Sequence, residues 1–265
     1  MKKNVLVLLV ALFGFSNMAW SDPCLTPDGI TTVVTGTTCS AEPDFIQYKI
    51  YEMGICTAAP VAPTTSAKMD LTSCVAILKS TTGFDVSVTK GATSNLDGAI
   101  IRPDNGTYTH GYVRVSKTVL IGDSREYQSA LDDDVVDGTD GEFCATTTTA
   151  QNCANATVTA ANLSATFKFG QAADDIATFT GSSSAFGAYL LDGDERLVSN
   201  VEGGASSNAT YLIGSGASGS AWIVTDATTS MDASFKVSEA MSVSISADSK
   251  LFLGPGPFVF DLTIN

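Results

Sequence analysis

Residues 45–51, Phe-Ile-Gln-Tyr-Lys-Ile-Tyr, decide the fold, because apolar and polar side chains alternate along them. In an extended chain successive side chains point to opposite faces, so Ile46, Tyr48 and Ile50 share one face. We therefore predict a β-strand here, with that face buried in a core.

The same period of two recurs along the chain, in runs of about strand length bounded by Gly, Asn, Asp or Pro. Explicit turn signals such as Asp97-Gly98 and Asn105-Gly106 separate the runs, and helical patterns are weak and short. We predict an all-β fold, an antiparallel β-sandwich-like domain of about a dozen short strands with disulfide-tied loops. The further runs are 84–89, 108–121, 163–169, 220–225, 233–237, 241–247 and 258–264.

The apolar face of these runs defines the expected core. It comprises Ile46, Tyr48, Ile50, Phe84, Val86, Val88, Trp222, Val243, Ile245, Phe258 and Phe260. For the final run, 258–264, we expect the turn at Gly254-Pro255-Gly256-Pro257 to fold it back onto residues 250–253, so that it completes its own sheet.

The segment 138–162 is the one plausible interruption of this pattern. It is rich in Thr, Ala and Asn, poor in large apolar side chains, and contains Cys144 and Cys153. It could link two small sandwiches, or it could be a long disulfide-tied loop within one domain. Strands of the same character on both sides favour a single unit.

The first 21 residues have the pattern of a secretory signal peptide. Lys2 and Lys3 precede an apolar run at 5–15, and Ala19-Trp20-Ser21 offers small residues at a cleavage site. The run is too short to span a bilayer, so we expect no transmembrane segment in the mature chain. Residues 1–21 would be removed and residues 22–265 exported, to the periplasm, the cell surface or the extracellular space.

All six cysteines lie beyond this expected cleavage site and form an even set. Six cysteines permit fifteen connectivities. Pairing of neighbours in sequence is attractive because each pair closes a loop of turn-like composition. Metal ligation is the alternative, but no Cys-x-x-Cys motif is present and the single histidine is distant in sequence. The predicted bridges are Cys24–Cys39, Cys56–Cys74 and Cys144–Cys153.

The charge of the chain excludes some partners. A formal net charge of −14 repels nucleic acid and anionic lipid headgroups, so we expect neither as a partner. Hydrophobic residues make up 44% of the sequence, which is ample for a packed core.

Clustered carboxylates are the strongest candidates for a binding site. Calcium takes six to eight oxygen ligands from flexible loops, so an acidic loop can form a weak extracellular calcium site. The alternative is a solvated acidic loop, and the EF-hand pattern is absent. The candidate ligands are Asp132, Asp134, Asp137, Asp140 and Glu142, with a smaller acidic group at Asp192, Asp194 and Glu195. No other cofactor is expected.

Signals for catalysis are poor, and we predict no catalytic residue. His110 is the only histidine, it lies on an expected strand, and no Gly-x-Ser-x-Gly motif accompanies it. Residues 214–219 match the dinucleotide fingerprint, but a strand-like run follows them, so we interpret them as a flexible connection between strands. Nothing in the sequence sets two carboxylates at the separation that glycoside hydrolysis needs.

In composition the chain resembles bacterial surface-layer, filament and adhesin subunits: it is acidic, rich in Thr, Ser and Gly, and nearly free of histidine. The leading hypothesis is an exported structural or adhesive protein without catalytic activity, capable of self-assembly. The alternative is a carbohydrate- or small-ligand-binding module with an aromatic groove near Tyr108, Tyr112 or Trp222. A hydrolase is the third possibility.

Overall fold

A computed structural model describes residues 24, 38–92, 94–96, 100–131, 141–148, 151–154, 159–166, 176–180, 185–198, 208–246, 250–256 and 259–265. Within this part of the chain there are seventeen β-strands and no α-helix, and every strand pairing is antiparallel. The predicted all-β, sandwich-like fold is confirmed. The strands are more numerous than expected, and four of them, β2, β3, β5 and β13, have 11 to 16 residues.

The strands divide the chain as follows: β1 Thr38–Ala41, β2 Phe45–Cys56, β3 Cys74–Thr89, β4 Ser94–Asn95, β5 Gly106–Ser116, β6 Thr118–Gly122, β7 Ser124–Leu131, β8 Gly141–Thr146, β9 Gln151–Ala154, β10 Leu163–Thr166, β11 Ile176–Thr180, β12 Ala185–Leu191, β13 Tyr211–Val224, β14 Met231–Lys236, β15 Met241–Ile245, β16 Leu251–Pro255 and β17 Val259–Ile264.

The largest sheet has eight strands and is organised around β2. One edge of β2 pairs with β3 over almost its whole length. The other edge pairs with β6 in its first part and with β5 in its second. β10 extends the sheet beyond β6, while β13, β12 and β11 extend it beyond β5. The run predicted as one strand at 108–121 is therefore two strands, β5 and β6, separated at Lys117.

Three smaller sheets of three strands complete the fold. Their strand orders are β1-β15-β16, β17-β14-β4 and β7-β8-β9. β8 and β9 form a hairpin within the segment 138–162, and Cys144 pairs with Cys153 across it. Both cysteines are buried in the main core, although the division of the chain into one domain or two stays a prediction.

The main core contains most of the residues that the alternation predicts. The prediction is confirmed for Ile46, Tyr48, Ile50, Val86, Val88, Val243 and Ile245, which are all buried. Phe84 and Trp222 are only partly buried and pack against the edge of this core. Phe258 and the side chain of Phe260 lie outside the described residues.

The expected partner of the final strand is wrong. β17 pairs with β14, in a register that runs from Met231 opposite Ile264 to Lys236 opposite Val259. The segment 250–253 lies in β16, which pairs instead with β15, its neighbour in sequence. A short connection keeps the loop-closure cost of the β15–β16 hairpin low.

Candidate functional site

Three disulfides join Cys24 with Cys39, Cys56 with Cys74 and Cys144 with Cys153, the same pairing that the sequence spacing predicts. The second of them closes the loop 57–73 between β2 and β3. This loop also contacts the segment after β12, because the Leu197 backbone N–H donates to the Thr64 carbonyl at 3.0 Å.

The loop 57–73 lies over the face of the large sheet that is opposite the main core. Alternation along β5, β12 and β13 sends Val113, Leu190 and Leu212 into the main core. Their sequence neighbours form a second apolar cluster with Met69 of the loop and Cys56. Those neighbours are Tyr112, Leu191 and Ile213.

A cavity of about 350 Å³ opens beside this second cluster. Met69, Leu71, Leu191 and Ile213 form its apolar wall, and five charged side chains with one phenol form the rest. We call it the Arg114 pocket, after the side chain that contacts both of its carboxylates. Its polar residues are Glu52, Lys68, Lys79, Tyr112, Arg114 and Glu195.

Glu52 is the buried carboxylate of the Arg114 pocket, with a side chain only 11% exposed. Three donors reach it: the Tyr112 hydroxyl at 2.8 Å, Arg114 Nη2 at 3.1 Å and Lys79 Nζ at 3.2 Å. A buried carboxylate is costly unless it is paired, and these donors supply the pairing. Burial and the adjacent Glu52 carboxylate raise the pKa of Tyr112, so the phenol keeps the proton that it donates.

Gly54 allows Tyr112 to take this position. The two residues are opposite each other in the β2–β5 ladder, and the Tyr112 ring lies directly over the glycine. A Cβ at position 54 would stand 2.3 Å from Tyr112 Cε1 and 2.5 Å from the Val75 carbonyl oxygen, so any larger residue would displace the ring.

Glu195 is the second carboxylate of the pocket, and it comes from the turn after β12. Arg114 Nη1 donates to Glu195 Oε1, and Lys68 Nζ lies 3.4 Å from Oε2. Glu195 has a φ of +63°, in the left-handed region that is strained for a non-glycine residue. Asp192 fixes this turn, because its Oδ1 accepts the backbone N–H groups of Asp194 and Arg196, both at 2.9 Å.

The Arg114 guanidinium is held on several sides. Besides Glu52 and Glu195, it stacks 5.3 Å from the centroid of the Tyr211 ring, and Tyr51 meets that ring edge-on at 5.0 Å. Arg114 Nε is buried and finds no acceptor among the described residues. Arg114 is therefore held by the buried Glu52 and the Tyr211 ring, and it bonds to Glu195 as well.

The charges favour binding over acid–base chemistry. Arg114 lies between the two carboxylates and bonds to both, so they cannot flank a scissile bond as a free pair. Lys68, Lys79 and Arg114 face two carboxylates, which gives the pocket a local positive excess on a chain of net charge −14. The chain's histidine, His110, lies elsewhere on β5, with Nδ1 2.9 Å from Thr109 Oγ1.

The acidic cluster that the sequence singled out falls largely outside the described residues. Asp132, Asp134, Asp137 and Asp140 are among the residues not described, and Glu142 is exposed on β8. In the described part of the chain, no three His, Cys, Asp or Glu side chains are grouped closely enough to hold a metal ion. Calcium binding at this cluster stays a prediction.

The aromatic side chains proposed for a ligand groove are not gathered in one place. Tyr112 lines the Arg114 pocket, whereas Tyr108 is buried in the main core and donates its hydroxyl to the Asp104 carbonyl at 2.9 Å. Trp222 is the partner of Tyr108 in the β5–β13 ladder and packs against Gly111.

The glycine-rich run 214–219 lies within β13, so it is part of a strand and not the flexible connection expected.

Sequence reasoning missed Glu52, Lys68, Lys79 and Arg114 as site residues. A signal was available for Glu52, because it continues the apolar face of Ile46, Tyr48 and Ile50 along β2. Lys68 and Glu195 come from loops, and no local pattern connects them to that strand.

Comparisons with known proteins identify no relative: no protein-family model, no curated protein and no solved structure matches the chain. Of the residues that the structure describes, none belongs to a helix long and apolar enough to cross a membrane.

Proposed function

We propose that this chain is an exported protein of the periplasm, cell surface or extracellular space, with a structural or adhesive role and no catalytic activity. The observation that carries the export part of this proposal is the set of three disulfides, which use all six cysteines of the chain. Disulfides persist in oxidising compartments and are rare in the cytosol. The signal-peptide pattern at 1–21 supports the same destination.

The absence of catalysis in this proposal is supported by the chemistry of the Arg114 pocket. A general acid or base must exchange a proton with a substrate, yet both carboxylates bond to Arg114 and each is also paired with a lysine.

The last described strand, β17, pairs with β14 of the same molecule, so this sheet is completed within one chain. Self-assembly would then use other surfaces of the molecule.

Fractionation of cells that express the full chain tests this proposal, with a chain lacking residues 1–21 as the control for export. We expect the full chain in an exported fraction, without reactive thiols, and in high-mass assemblies or attached to cells. Retention in the cytoplasm with reactive thiols would contradict export. An exported monomer that binds neither cells nor itself would contradict the structural or adhesive role.

Binding of a small ligand is the second candidate function, and the Arg114 pocket favours it. Small-molecule sites are concave, predominantly apolar and contain a few placed polar groups, with volumes of about 300–1,000 Å³. This pocket combines a cavity of about 350 Å³ with an apolar wall and a fixed guanidinium. Saturable binding of a small molecule that Arg114→Lys abolishes in a still-folded protein would establish this function.

A further inference from the structure

The two carboxylates that bond to Arg114 are held very differently. Glu52 stands on the central strand β2, is 11% exposed and accepts from three side chains. Glu195 stands on a turn, has a side chain 35% exposed and adopts a left-handed backbone conformation. Glu52 is therefore part of the framework, whereas Glu195 can leave with a rotation of its own side chain.

Departure of Glu195 would expose a pair of cationic donors. Arg114 Nη1 and Lys68 Nζ both contact its carboxylate now, and Lys68 is 60% exposed. Arg114 would stay in place, because Nη2 still bonds to Glu52 and the guanidinium still stacks on Tyr211. With Glu195 gone, three cations would face the single carboxylate of Glu52, which favours an anion in the vacated position.

We propose that the Arg114 pocket binds a small monocarboxylate whose carboxylate replaces that of Glu195 on Arg114 and Lys68. The body of the ligand would lie in the cavity against Met69, Leu71 and Ile213. Glu195 then acts as a tethered competitor that occupies the anion position when no ligand is bound. This inference rests on the second candidate function, ligand binding at the pocket.

Because Glu195 is part of the same chain, its competition limits how tightly the native protein binds a carboxylate ligand. A group held on the same chain competes at a high effective concentration, which for short tethers is in the millimolar range. Native affinity for a simple carboxylate should therefore be weak. Glu195→Gln removes the competing charge but keeps the size of the side chain, so it should strengthen binding about tenfold, which is equivalent to about 1.4 kcal/mol.

Calorimetric or NMR titration of the full mature chain with phenylacetate tests the proposal, with the uncharged phenylacetamide as the matched probe. Glucuronate and glucuronamide form a second pair, which distinguishes a sugar acid from an acid with an apolar body. Lys68→Met should weaken carboxylate binding at least fivefold. Lys90→Met, which removes an exposed lysine paired with Asp44 outside the pocket, is the control and should leave it unchanged.

The proposal is supported if a carboxylate binds, its amide does not, and Glu195→Gln tightens binding while Lys68→Met weakens it. Equal binding of acid and amide would overturn the carboxylate assignment but leave ligand binding at the pocket intact. Carboxylate binding that Glu195→Gln does not strengthen would overturn the displacement of Glu195. If no probe binds to any variant, both the inference and the second candidate function fail.

Discussion

Replacement of Arg114 by methionine should destabilise the protein by about 3 kcal/mol. Arg114 is 15% exposed and its Glu52 partner 11%, so the pair is close to fully buried. Removal of one member of a buried pair costs roughly 3–5 kcal/mol, because the other charge is left without its partner. The lower end applies here, since Glu52 keeps Tyr112 and Lys79 and since Glu195 can turn to water.

Urea unfolding measures this loss, provided that the slope m stays constant across the variants. The matched control is Lys49→Met, which breaks the exposed pair of Lys49 with Asp85 at 2.7 Å and should cost no more than about 1 kcal/mol. The double variant Glu52→Leu/Arg114→Met removes both buried charges and should cost less than Arg114→Met alone.

Two results would refute this reasoning. A loss no greater than that of Lys49→Met would mean that the guanidinium is effectively solvated. The single variant Glu52→Leu completes the cycle. If the double variant loses as much stability as Arg114→Met and Glu52→Leu together, Glu52 and Arg114 are not energetically coupled.

Three further predictions concern the framework. The double variant Cys56→Ala/Cys74→Ala, which opens a loop with a sequence separation of 18, should lower the free energy of unfolding by about 3 kcal/mol; an unchanged urea midpoint would contradict it. Burial raises the pKa of Tyr48 and Tyr112, so above about pH 10 the unfolded chain releases protons that the folded chain retains. Stability should therefore fall as pH rises through that range, and part of the phenolate absorbance, that of Tyr48 and Tyr112, should appear only together with unfolding. Deletion of residues 258–265 removes β17 and opens the edge of β14, so the melting temperature should fall sharply; an unchanged melting temperature with lost assembly would instead make β17 an assembly element.

Features encoded by neighbouring residues could be predicted from the sequence. Alternation with a period of two identified the strand at 45–51 and placed Ile46, Tyr48 and Ile50 in the core. It succeeds because the direction of a side chain on a strand depends only on its position along that strand. Cysteine spacing led to the same three pairings as the structure, because each pair lies within 9 to 18 residues and closes a short loop.

Partners that are distant in sequence could not be predicted. The expected fold-back of the last strand onto residues 250–253 was wrong, because β17 pairs with β14 and the turn sequence before it does not specify its partner strand. The sequence predicts a candidate calcium site from five carboxylates within residues 132–142, whereas the Arg114 pocket gathers its charges from five separate segments.

The sequence by itself therefore determined an all-β chain, seven residues of its core and its cysteine pairs, since these follow from local alternation and short loops. Only the tertiary structure decided that Arg114 meets Glu52, 62 residues away, and that Lys68 meets Glu195, 127 residues away. The physical reason is that charge pairing depends on distance in space, and β5 lies beside β2 only after the sheet has formed.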